Sequence, residues 1–136
     1  MNQSSIDLVI NRDQVIDFRV LNDDDTNFTH VSTMNRIMFM IKRNITDADA
    51  DALYSIDGNT GIHTTGSSDE AGLFGVIDIP AEDFSDLQLG VSEKPEIKEE
   101  QLYFELAANF SDLCRVTLGY GFINAIKTPI QDVPSV

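Results

Sequence analysis

The sequence predicts an all-β protein: an immunoglobulin-like antiparallel β-sandwich carrying one or two single-turn helices. Three observations lead there. Apolar residues recur at every second position in short runs, as where Ile16, Phe18 and Val20 alternate with Asp17 and Arg19, which is the pattern of a strand buried on one face. Clusters of Asn, Asp, Gly and Ser separate these runs and favour tight turns. The only helix-like segments, near 47–53 and 81–87, are too short for more than a turn. The chain has no Trp and a single Cys. The Cys, Trp, Cys pattern of antibody domains is therefore missing, and the likeness to them is one of general architecture.

Taken in order, residues 6–10 form a short apolar run closed by the turn residues Asn11, Arg12 and Asp13. Residues 14–21 are the clearest strand, and an acidic connection from Asn22 to Asn27 follows. Residues 28–34 read as a loop with an edge strand. The next run, 36–42, is apolar on both faces: Ile37, Phe39 and Ile41 on one, Met38 and Met40 on the other. A second apolar face implies a cover, either a loop of the same chain or a neighbouring subunit, since Met suits adaptable contact surfaces. Met38 and Met40 are thus the candidate interface residues. Thr46 is placed to cap a brief helix over 47–53, whose early aspartates suit the positive end of the helix dipole. A turn at Asp57–Gly61 leads to a short extended piece at 62–65, and a second turn leads to the strand 72–79, ended by Pro80. Within it Gly75 marks a bulge or a close backbone approach. Residues 81–87 read as another helical turn, 90–101 as a charged exposed segment, and 102–106 and 116–122 as the last strands. Residues 1–126 then form one domain, and 127–136, with Pro129 and Pro134, an extended tail.

At 136 residues the chain is long enough to bury a core without metal or disulfide staples. Its charge is the unusual feature: 23 acidic against 9 basic residues leave a formal charge of −14. Such a surface repels phosphate backbones and anionic lipid, so nucleic-acid and membrane partners are not expected. The residues at the amino terminus lack the basic and apolar regions of a signal peptide, and no run reaches the length of a membrane span. Cys114 has no internal disulfide partner and, with Leu113, Arg115 and Val116 as sequence neighbours, reads as a buried inert thiol.

No motif for catalysis stands out, and an enzyme is not expected. His30, His63 and Cys114 lack zinc-type spacing. There is no Gly-x-Ser-x-Gly elbow and no phosphate-binding loop; Gly119 and Gly121 lie within a strand pattern. The alternating Asp47, Asp49 and Asp51 suggest a calcium loop, but Ala52 stands where the loop needs glycine and Gly58 where it needs a bidentate glutamate. Asp23, Asp24 and Asp25, with Asn22 and Asn27, read better as a solvated turn than as cation ligands. No metal, cofactor or small-molecule substrate is expected.

Several features in sequence order carry a family likeness: the Asn11, Arg12, Asp13 turn; the apolar strand ending in Ile41, Lys42, Arg43; the segment Thr46 to Leu53; the exit Ile79, Pro80, Ala81, Glu82, Asp83; the strand 102–106; and Thr117, Leu118, Gly119. In this order the chain resembles the small immunoglobulin-like proteins encoded among bacteriophage tail and structural genes, and is similar to the amino-terminal domain of the phage baseplate upper protein family. The segment 90–101 departs from that group's tighter hairpin, and the proline-bearing tail replaces the extension of larger members. The resemblance implies a non-enzymatic virion structural protein of the tail, baseplate, neck or capsid surface. It would be assembled in the host cytoplasm and act by packing against other virion proteins in an oligomeric assembly. A glycan- or calcium-dependent adhesion module is the alternative, disfavoured by the lack of Trp.

Overall fold

The structure, a computed structural model, describes residues 3–9, 12–22, 24–58, 60–68, 72–81, 99–112 and 114–126. Among the described residues eight strands alternate with turns: β1 (Gln3–Val9), β2 (Gln14–Arg19), β3 (Met34–Lys42), β4 (Tyr54–Asp57), β5 (Ile62–Ser68), β6 (Gly72–Ile79), β7 (Glu99–Phe110) and β8 (Cys114–Ile126). A 3-10 turn, Asp49–Asp51, lies between β3 and β4. The expected turn over 81–87 lies outside the described residues beyond Ala81. The charged segment before Glu99 and the tail 127–136 also lie outside them.

The strands form two sheets, one ordered β1-β8-β7-β3-β4 and the other β2-β6-β5. Their facing sides make the sandwich core, which includes Leu8, Phe39, Ile41, Leu73, Ile79, Leu102 and Ile123. The all-β sandwich expected from the alternation is therefore present. One pair departs from the antiparallel rule: β1 runs parallel to β8, from Gln3 beside Tyr120 to Val9 beside Ile126. Its neighbour in sequence, β2, lies instead in the other sheet, antiparallel to β6.

Local chemistry explains the irregular points. At Gly75 a β-carbon would fall on the carbonyl oxygen of His63, and the β5–β6 register shifts between Thr64 and Gly66 opposite it. The close approach expected there is present, and only glycine leaves room for it. In β8 the register shifts beside Leu106 and Ala107, which keeps Leu118 in the core.

Two expectations are corrected, and one strand is added. Cys114 is exposed and opens β8 with φ +60, because it closes the tight turn back to Phe110 instead of lying inside the strand. Thr46 does not cap the 3-10 turn: Ala48 holds that position with no side-chain cap, and the turn is shorter than 47–53. The segment Tyr54–Asp57, most of which the sequence pattern leaves unassigned, is the edge strand β4, paired with Met38–Ile41 of β3.

Candidate functional site

The five-stranded sheet has a second face, turned away from the sandwich. On β3 the alternation that sends Ile37, Phe39 and Ile41 into the core sends Met38, Met40 and Lys42 to this face. The connector 43–53 folds back over it, held where Leu53 N–H donates to Ile41 O at 2.7 Å. Met38 is 7% exposed and Met40 1%, both packed with Ala107 and Ala52. Met38 and Met40, the candidate interface residues, thus lie beneath their own connector in the single chain. Of the two covers the strand pattern allowed, the chain supplies the loop.

Beside the methionines lies a charged cluster. Lys42 Nζ donates to Glu105 Oε1 at 2.8 Å and to Asp49 Oδ1 at 3.0 Å. Arg115 donates through Nε and Nη2 to the two oxygens of Asp49, both at 2.8 Å, and through Nη2 to Glu105 Oε2 at 2.9 Å. Thr117 Oγ1 donates to Glu105 Oε2 as well. Register brings these groups together: Met40 pairs with Glu105, and Ala107 with Thr117. Asp49 descends from the 3-10 turn of the connector, which explains the placement of that turn without a cap. Lys42 is 2% exposed and Glu105 7%, yet no buried polar side-chain atom among the described residues lacks a partner.

The electrostatics follow from these contacts. Burial pushes the Glu105 carboxyl up, but the bonds from Lys42, Thr117 and Arg115 outweigh it and hold the group below its ordinary value. The Arg115 bonds do the same for Asp49, against its desolvation. Burial lowers Lys42, and its bonds to Glu105 and Asp49 more than reverse this, so its value is raised. A carboxylate held charged by three donors is a weak base and a poor proton donor near neutrality. The cluster therefore fastens the connector to the sheet. An open depression of about 310 Å³ beside it, between Ile45 and Tyr120, has Glu105 and Thr117 among its lining residues, but their polar atoms are already engaged.

A second polar cluster has the residue types of a hydrolytic triad. His30 Nε2 lies 2.9 Å from Asp112 Oδ2 and 3.3 Å from Thr33 Oγ1, and Thr33 itself donates to Asp112. A triad needs one ring nitrogen on the hydroxyl and the other on the acid. Here the same nitrogen meets both, so the hydroxyl is not set up as a nucleophile. The trio ties the 28–33 loop to the β7–β8 turn, aided by the His30 and Phe110 rings, 5.7 Å apart.

The acidic runs are divided among separate tasks. Asp47 accepts the Asn44 N–H, and Asp49 belongs to the ion cluster. Asp24 accepts from Thr26 through both its N–H and its hydroxyl, which keeps its pKa below the usual range, while Asp23 lies outside the described residues. Among the described residues no group of three or more His, Cys, Asp or Glu is placed to hold a metal ion.

The remaining feature is a crevice between the sheets. Three strands face five, and β5 lies against β3. At the opposite side β2 faces β1 and β8 across a cavity of about 380 Å³ lined by Ile6, Ile16, Phe18, Leu106 and Leu118. Gly119 borders it, and a β-carbon there would meet nothing within 4 Å. Strands β1 and β2 are both sheet ends, so two backbone edges flank one apolar opening. The sequence alternation identified β2 but carried no information on which edge stays unpaired. No protein-family model matches the chain, and no curated protein matches it.

Proposed function

We propose that this protein is a non-enzymatic structural subunit of a phage virion that works by packing against neighbouring proteins. The resemblance in order of sequence features to phage tail and baseplate proteins is what suggests the phage setting. The observation that carries the packing role is the open side of the sandwich. An apolar crevice bordered by edges of β1 and β2 left unpaired among the described residues suits an extended protein segment better than a small polar substrate. The formal charge of −14 adds orientation, since an acidic subunit docks fastest on basic neighbours. Mass-spectrometric identification of the proteins in purified particles from cells carrying this gene tests the reading. The chain is expected among the virion components in stoichiometric amount, and its absence from clean particles overturns the proposal.

A further inference from the structure

We infer that β2 is a self-complementary edge through which two copies of this chain pair, joining their three-stranded sheets into one six-stranded sheet. The inference deepens the reading of the chain as an assembly subunit and rests on it, naming the first partner of the open side as a second copy. Among the described residues no strand pairs with the far edge of β2. Its backbone groups are set for pairing. Val20 N–H donates to Leu73 O on β6 at 2.9 Å. Successive strand residues direct their N–H and C=O groups to opposite edges, so those of Asp17 and Arg19 face outward.

The side chains select one register. Residues directly opposite in an antiparallel pair share a face. A two-fold axis beside Phe18 sets Asp17 of one copy against Arg19 of the other, reciprocally. On the same outer face it sets Val15 against Leu21. On the inner face it sets Phe18 against Phe18 and Ile16 against Val20. Moving the axis to Asp17 brings the two Asp17 carboxylates together and places Val15 against Arg19. Moving it to Ile16 places Asp17 against Val15. Only the Phe18 axis joins unlike charges and like apolar groups throughout, as an isologous contact requires.

Two further observations fit this register. Val15 on the outer face is a large hydrophobic that is 67% exposed, and Leu21 of the second copy would cover it. Arg19 has contacts with Asn27 and the Phe74 ring, and among the described residues neither Arg19 nor Asp17 has an ion-pair partner. The second copy supplies one for each.

The test is the oligomeric state of the full-length purified chain, measured by sedimentation equilibrium over a concentration series. A monomer–dimer equilibrium is expected for the native chain. Asp17→Arg is expected to weaken it by roughly tenfold or more, because both reciprocal pairs become repulsive. The double variant Asp17→Arg/Arg19→Asp is expected to restore it, since the exchange recreates both pairs. Asp17 is exposed, and unchanged circular dichroism and melting confirm that the variants fold. A native chain that stays monomeric at its solubility limit overturns the inference. So does a dimer indifferent to Asp17→Arg, or a swap that fails to restore pairing. These outcomes are separate from the particle analysis: a chain found in the virion but monomeric alone refutes the edge pairing and leaves the subunit reading in place.

Discussion

Lys42 Nζ lies 2.8 Å from Glu105 Oε1, and the two residues are only 2% and 7% exposed on a sheet face that their own connector covers. They are not equal partners. Glu105 keeps Arg115 and Thr117 if Lys42 is lost, whereas Lys42 keeps only Asp49 if Glu105 is lost. Glu105→Leu is therefore expected to cost about 3–5 kcal/mol, the usual penalty for stranding a buried charge. Lys42→Met should cost clearly less, because the long apolar stem is kept. The double variant should be more stable than Glu105→Leu alone, since no buried ammonium remains to be neutralised. Urea unfolding of the three variants checks the order; additive losses would remove the clamp argument.

The same cluster sets an acid limit. Glu105 and Asp49 are held below their ordinary values of 4.5 and 3.8, so their contribution is fully present above those values. It is lost as pH falls through the lower folded values. Lys42, raised above 10.5, has the opposite sign: its contribution is complete below 10.5 and lost as pH rises through the folded value. At a formal charge of −14, mild acidification also relieves repulsion across the whole molecule. The informative quantity is therefore the difference between native chain and Glu105→Gln. Their melting temperatures should converge as pH falls below 4.5 and through the lower folded value of Glu105, where the native carboxylate becomes protonated. A gap that persists or widens in acid would contradict the assigned roles.

Two glycines expected to serve the strands act differently. At Gly75 a methyl group meets the backbone of His63 and Thr64, so Gly75→Ala must push β5 away from β6 and is expected to destabilise by about 1–3 kcal/mol. At Gly119 nothing lies within 4 Å, and φ is not in the left-handed region. Gly119→Ala should be neutral or slightly stabilising, because the unfolded chain loses more freedom than the folded one. Thermal unfolding distinguishes the pair, and a larger loss at Gly119 would mean that the crevice beside it is closed.

The sequence revealed most where one physical pattern dominates a segment. The alternation in β2 and the break at Gly75 follow directly from side-chain period and backbone room. Direction and partnership did not follow: the period-two pattern of β1 is the same whether it runs parallel to β8 or antiparallel to anything else. Tyr54–Asp57 was obscured because two apolar residues before an Asp-Gly turn give too little alternation to separate a strand from a connection. The ion cluster was obscured for another reason. Lys42, Asp49, Glu105 and Arg115 are ordinary surface residue types in sequence, and only the fold of the connector brings them together and buries two of them. Cys114 looked internal from its place beside the alternating run of β8, yet turn closure with Phe110 places it outside.

The methionines of β3 supply the remaining prediction, because their burial converts an interface question into a stability question. Met40 is 1% exposed, on the face away from the sandwich core, with Met38, Ala107 and Ala52 around it. Truncation there removes buried volume that the flanking sheet cannot fill, so Met40→Ala is expected to cost about 2–5 kcal/mol. Met38, slightly less covered, should cost less. Replacing both with Ser adds hydroxyls with no partner in an apolar pocket and should lower the stability of the isolated chain further. The decisive comparison is between monomer unfolding and incorporation into particles. If the connector is the true cover, the double Ser variant loses monomer stability first, and assembly fails only as the folded population falls. Normal monomer stability with failed assembly would instead show that the connector lifts away and that a neighbouring subunit takes its place over Met38 and Met40.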